Sequence, residues 1–388
     1  MFDIDAIRAD TPTCERILHF NNAGASLMPD PVFSAVTAHL TLEREIGGYE
    51  AARAATDDLN AFYTEFAALL NADPSEIAYA ENATRAWDMA FYGLPLAPGD
   101  RILTHASDYV SNTLAILHQA RRRGLHIDLV PSDASGQIDI AALESLITPR
   151  TRLISLTHVP TQGGLVNPAV EVGRIARKHN LIYQLDACQS VGQMALDVRT
   201  IGCDILSGTG RKFLRGPRGT GFLYVRKGFL DQIDPPFIDL HSATWTGPDT
   251  YTLDPTAKRF ENWESFTAGR IGLMQAVRYA RNIGLENIEL RVSLLASALR
   301  FALSSVPGIT LQDQGAQKCG IVTFTKDGED AEAIRARLHK SQINASTTQR
   351  SSALIDFDAR GLTSLVRASV HYYNTEAEIG RFIDALTA

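Results

Sequence analysis

Apolar residues recur at helical intervals over 31–46, where Val32, Val36, His39 and Leu40 share one face until Gly47-Gly48 interrupts it. A second amphipathic pattern covers 59–70, and Asp73-Pro74-Ser75 stops it ahead of a short strand at 77–79. From about residue 99 the alternation becomes regular. Strands are predicted at 101–104, 127–130, 152–157 and 181–185, separated by helices at 111–124, 138–147 and 168–180. Short apolar strands that alternate with helices of this length predict an α/β fold, with a mostly parallel sheet covered by helices on both faces. Beyond 230 the pattern changes to long helices at 269–282 and 285–306, strands at 320–325 and 365–369, and a last helix from Thr375. That reads as a second, smaller α+β domain, with the boundary in the Pro/Gly/Asp-rich stretch 231–258. The expected division is 17–258 for the large domain, with 1–16 and 259–388 forming the small one.

Composition narrows the function classes. The 388 residues carry 37 Lys plus Arg against 44 Asp plus Glu, a net charge of −7, which argues against a nucleic-acid partner. No apolar run approaches the roughly 18 residues of a membrane helix. Met1-Phe2-Asp3-Ile4-Asp5 places acids where a secretory signal carries bases. The four cysteines lack CxxC spacing, so neither a metal site nor a disulfide framework is implied. A soluble, cytoplasmic protein acting on a small molecule is expected, with no membrane partner.

In an open parallel sheet, ligands bind beyond the C-terminal strand ends. This singles out 107–112, 158–164, 186–189 and 207–212. The last segment, Ser207-Gly208-Thr209-Gly210-Arg211-Lys212-Phe213, is followed by Gly216-Pro217-Arg218-Gly219-Thr220-Gly221. Its small residues permit close approach of an anion, while Thr209, Arg211 and Lys212 supply donors. As a nucleotide phosphate loop it fails on spacing, because no G-x-x-x-x-G-K-[ST] is present. The plain alternative is a glycine-rich turn with solvated charges. Asp186 closes an apolar strand 26 residues before Lys212, and taken alone it could be a structural cap. Together, an acid, a lysine and an anion cradle at neighbouring strand ends suit pyridoxal 5'-phosphate. The lysine bonds the cofactor, the acid keeps the pyridine nitrogen protonated and the cradle holds the phosphate.

These motifs resemble the fold-type I pyridoxal-phosphate enzymes of the class V aminotransferase family, which includes the cysteine desulfurases. The resemblance runs from Phe20-Asn21-Asn22-Ala23-Gly24 to the final helix. It implies a seven-stranded-type sheet, a homodimer and a set of site residues. Glu81-Asn82-Ala83-Thr84 looks like the loop that caps the phosphate, through Ala83 and Thr84, and Thr209 and Arg211 match further phosphate contacts. Thr161 takes the place of an asparagine near the cofactor ring, Gln189 matches a glutamine beside the phenolic oxygen, and Tyr109 replaces a stacking histidine. Arg367, in Val366-Arg367-Ala368-Ser369, matches the arginine that grips the substrate carboxylate. Asn22 and Gly24 fall on the same substrate side. The segment 259–267 corresponds to one that reaches the partner chain, but it departs from the desulfurase Gly-Thr pattern near Trp263 and Glu264.

One departure bears on the reaction. Desulfurases carry a mobile nucleophilic cysteine in the region matching 344–353, where this chain reads Asn344-Ala345-Ser346-Thr347-Thr348-Gln349-Arg350-Ser351-Ser352-Ala353. The expectation is therefore a pyridoxal-phosphate enzyme acting on an L-amino acid, foremost a C–S β-lyase on an S-substituted cysteine. Lys212 would serve as general base, with Asp186 and Tyr109 beside it. The alternatives are a class V transaminase, an isopenicillin N epimerase-like epimerase, and a non-catalytic binding relative that kept the fold.

Overall fold

The computed structural model describes residues 2–388. Its centre is a seven-stranded sheet built from β1 (Ile77–Ala80), β2 (Arg101–His105), β3 (His126–Val130), β4 (Thr151–Thr157), β5 (Ile182–Asp186), β6 (Ile205–Thr209) and β7 (Gly221–Val225). Their order across the sheet is β1-β7-β6-β5-β4-β2-β3. β7 runs against both of its neighbours, and β2 to β6 are mutually parallel.

Alternate residues of each strand serve opposite layers, as the two-residue period of a strand requires. Ile102, Leu153, Ile205 and Leu223 pack with Trp87 and Phe91. Their sequence neighbours Leu103, Ile154, Leu206 and Phe222 pack with Phe62 and Phe66 on the other side. This double burial explains why the strands read as continuous apolar runs.

A second sheet is antiparallel throughout, in the order Ile309–Leu311, Ile321–Lys326, Ser364–Ser369, Ser346–Gln349. Helices Leu285–Ser304, Ala331–Lys340 and Glu376–Thr387 pack with it around Leu295, Leu299, Phe324, Val366 and Phe382. The α/β class, the parallel sheet and the smaller α+β unit match the sequence expectation. Near the expected limits of 17–258 and 259–388, some segments reach across to the other core. Helix Thr267–Ile283 lies on helices Asp30–Ile46 and Thr56–Leu70, with Leu273, Met274 and Val277 in the large core. Leu18 and Phe20 belong instead to the core of the small sheet. Periodicity shows that a helix has an apolar face, but not which layer it will cover. Among the described residues, no helix is long and apolar enough to cross a membrane.

Candidate active site

Because β2, β4, β5 and β6 are parallel, the segments that follow them converge at one edge of the sheet. There a cleft is lined by Ala83, Thr84, Tyr109, Thr161, Asp186, Gln189, Thr209, Arg211 and Lys212. All nine residues expected to hold the cofactor thus share one cavity. Asn112, Thr157 and Cys188 also line it.

Asp186 is the last residue of β5, so its carboxylate is buried at the cleft floor. It accepts the Cys188 amide at 2.8 Å and the Asn112 side-chain amide at 2.9 Å. Lys212 lies just past the end of β6, almost fully buried, with its amine 6.0 Å from the centre of the Tyr109 ring. Burial pushes the amine down to about 8, and the charges of Arg211 and Arg367 add to the effect.

The anion cradle is formed where helix Ala83–Phe91 begins. Asn82 caps the helix by accepting the Arg85 amide at 2.9 Å, while the amides of Ala83 and Thr84 have no intrahelical acceptor. Gly221 lets this helix start lie against β7. A Cβ there would sit 2.7 Å from the Gly208 oxygen, 2.8 Å from the Asn82 carbonyl carbon and 3.0 Å from the Ala83 nitrogen. Thr209 donates its hydroxyl to the Thr220 carbonyl at 3.2 Å. Arg211 donates to the Gly24 carbonyl at 3.0 Å, which brings the N-terminal segment over the lysine turn.

Thr161, on the cleft wall, links the cleft to Arg367, which is not itself among the residues lining it. Its hydroxyl oxygen accepts Gln189 Nε2 at 3.0 Å and also accepts Arg367 Nη1. Arg367 is buried, and no acid pairs with it among the described residues. Burial first, then the neighbouring Arg211 charge, lowers it to about 10, so it stays cationic at neutral pH. Its Nε and the Gln189 Oε1 are buried without a partner.

Asn22 is not brought to the cleft. Its amide donates to the Ser369 carbonyl at 2.7 Å, its oxygen accepts the Tyr373 hydroxyl, and it is fully buried. A side chain so occupied ties the N-terminal segment to the small sheet and has nothing left for a substrate. Gly24 contributes only its carbonyl, to Arg211.

Three contributors escaped the sequence reading. Asp108 is buried and accepts the hydroxyls of Thr104 and Thr157 and the Tyr109 amide, and burial raises it to about 6. Asn112 stands between Asp108 and Asp186, 3.5 Å from the first and 2.9 Å from the second. Thr157 also takes the Tyr109 amide, at 3.1 Å, so these groups fix the ring beside Lys212. The available signal was an acid directly before an aromatic residue at a strand end.

The residues present fit pyridoxal phosphate. A buried amine, a buried carboxylate on the cleft floor, two open helix-start amides and an unpartnered Gln189 oxygen meet in one cavity. The family model described as aminotransferase class-V matches residues 18–382. A protein of Methanothermobacter thermautotrophicus named probable cysteine desulfurase is 30% identical over 96% of this chain and 94% of its own. The apo structure of cysteine desulfurase from Thermococcus onnurineus NA1 superposes with a TM-score of 0.92 at 27% identity, covering 99% of this chain and 97% of that one. The cystine C–S lyase C-DES, in complex with cysteine persulfide, gives a TM-score of 0.88 at 26% identity, covering 97% and 99%. A mutant of C-DES carries glycine covalently linked to its pyridoxal-phosphate cofactor. This chain belongs to the class-V aminotransferase family and is a pyridoxal-phosphate-dependent enzyme.

Proposed function

We propose that the chain is a C–S β-lyase acting on an S-substituted L-cysteine. One observation carries this reading. The region 344–353, where desulfurases hold a mobile cysteine, contains none, and Ser351 and Ser352 lie exposed on the turn Arg350–Ser352. A serine hydroxyl cannot accept sulfur as a persulfide. All four thiols are free; Cys14, Cys203 and Cys319 are buried, and Cys188 in the cleft is pushed well above the ordinary thiol range by burial and by Asp186. A buried, neutral thiol is a poor nucleophile. The likeness to a cystine C–S lyase supports the same choice.

Lys212, Asp186, Gln189, Thr209, Arg211 and the amides of Ala83 and Thr84 would hold the cofactor. When bound, pyridoxal phosphate supplies an electron sink that makes the Cα–H bond of an attached amino acid acidic. Arg367 presents its planar fork to the substrate carboxylate. The amine of Lys212 takes the proton from Cα as general base. The Cβ–S bond then breaks with its electron pair on sulfur, and the thiolate leaves. Overall, substrate and water give a thiol, pyruvate and ammonia.

Incubating the holoenzyme with L-cystine and S-alkyl-L-cysteines tests the proposal, with pyruvate expected in proportion to the thiol released from S-alkyl-L-cysteines and to the cysteine persulfide released from L-cystine. Alanine from L-cysteine would establish a desulfurase instead. Amino transfer to a keto acid, or loss of optical activity without elimination, would replace the lyase by a transaminase or an epimerase.

The protein is further proposed to be a homodimer in the cytoplasm. Four unpaired cysteines suit a reducing compartment. Leu114, Leu117, Phe237, Leu240 and Trp263 are exposed apolar side chains of the sort a second copy would cover.

A further inference from the structure

The turn that carries Lys212 is held from the side of the small sheet by two buried groups that the chemistry above does not use. The first is His371, which has no exposed surface. Its Nδ1 lies 3.0 Å from the Tyr372 amide, and its Nε2 lies 2.9 Å from the Phe213 carbonyl. An amide N–H can only donate, so Nδ1 accepts and the proton resides on Nε2, which donates to the residue next to Lys212. Burial, then the nearby Arg215 charge, holds His371 well below the ordinary histidine range, so this neutral tautomer persists.

The second group is Arg215, 1% exposed and in the left-handed region at φ 61°. Its amide closes the turn onto the Lys212 carbonyl at 2.9 Å. Its guanidinium reaches outward to the Tyr372 hydroxyl at 2.9 Å, the Thr11 hydroxyl at 2.6 Å and the Leu27 carbonyl at 2.8 Å. It also stands 4.5 Å from the centre of the Tyr373 ring. Among the described residues, no acid pairs with it. Glycine would satisfy the backbone here without strain. A buried cation instead is costly unless its contacts are needed.

Both clamps end on His371-Tyr372-Tyr373, which follows closely on the strand that carries Arg367. That strand pairs Arg367 with Thr323 and with Ser346, and the chain beyond it is fixed when Asn374 accepts the His371 amide at 2.8 Å. We propose that His371 and Arg215 are positioning residues that lock the Lys212 turn to the Arg367 strand, so that the cofactor lysine and the carboxylate site keep one spacing. The proposal rests on the assignment of Lys212 and Arg367 to those roles.

The test compares wild-type, H371L, H371Q and Y372F holoenzymes. Two quantities are read: the pH midpoint of the visible band of lysine-bound cofactor, and kcat and KM with L-cystine. H371L should move the midpoint by about half a pH unit or more, and should lower kcat about tenfold with KM changed by less than about threefold. Glutamine can place an N–H where Nε2 stands, so H371Q should restore both. Y372F keeps the ring and removes only the hydroxyl that holds Arg215, and should shift the midpoint in the same direction by less. Y372F also serves as the test if H371L does not fold. A wild-type midpoint and kcat in H371L, or in Y372F where H371L is insoluble, overturns the proposal, and so does an H371Q enzyme no better than H371L. Failure of the Lys212 assignment is distinguishable, because wild-type enzyme would then form no visible band on addition of pyridoxal phosphate.

Discussion

Desolvation does most to set the chemistry of Lys212, since a buried ammonium gives up hydration that a neutral amine does not need. With the amine lowered to about 8, the form that can attack the cofactor aldehyde becomes abundant near neutral pH instead of above 10. The rate at which the apoenzyme takes up pyridoxal phosphate should therefore rise with pH and level off above a midpoint of about 8. Stopped-flow absorbance at several pH values checks this, and a rate still climbing at pH 10 would contradict it. Arg367 poses the complementary case, a buried cation waiting for an anion. Arg367→Ala should cost about 2–5 kcal/mol of substrate carboxylate binding, read as a large fall in kcat/KM for amino acids. Arg367→Lys keeps the charge and loses the fork, so it should recover only part of the loss. Lys212, Asp186 and Arg367 were legible because each sits in or beside an apolar strand, where a charge is conspicuous. Asp108 and Asn112 were not, because their role depends on a contact between Asn112 and Asp186 across 74 residues of sequence.

Strands and helices place these side chains through a few close approaches. At Gly221, β7 passes the start of helix Ala83–Phe91 too closely for any side chain. Gly221→Ala should press the Asn82-Ala83 backbone away from β6 and cost about 1–3 kcal/mol, as overpacking of a tight core does. Because the displaced amides belong to the anion cradle, the affinity for pyridoxal phosphate should fall together with the melting temperature. Calorimetry and cofactor titration read both; a variant with lowered stability but unchanged affinity would remove these amides from the phosphate site. The element pattern was readable where βα alternation repeats, from β2 to β5, because each strand is bounded by turn residues and β2, β4 and β5 are buried on both faces. It was unreadable for β7, for the short strands Ile309–Leu311 and Ser346–Gln349, and for the hairpin Ala243–Gly247 with Thr250–Leu253. The last two carry the polar and β-branched residues of partly exposed antiparallel strands, whose pairing is decided by partners remote in sequence.

The chain crosses between its two cores more than once: Leu18 and Phe20 pack in the small core, Leu273, Met274 and Val277 of helix Thr267–Ile283 return to the large one, and Ala280 of the same helix is again in the small one. Sequence could place both sheets but not these exchanges, since an apolar face does not name the layer it will join. The same limit applies to surfaces. Phe237 and His118 line a common groove beside helix Val110–Arg123, which bears Leu114 and Leu117, and the Trp263 amide is bound to Asp239 at 2.7 Å. These contacts draw the exposed apolar residues of 114–117, 237–240 and 263–266 toward one another. The proposed homodimer would cover those residues, at the standard scale of about 800 Å² per partner or more. Light scattering at micromolar concentration should then return about twice the 42.4 kDa of one chain. Leu240, 71% exposed, would lie inside the interface, so Leu240→Asp should weaken association by about tenfold or more. It should also lower activity if the partner completes the site, which assays of the monomeric variant read. A wild-type protein that stays monomeric while fully active would place the complete active site within a single chain and leave the exposed apolar residues without this role.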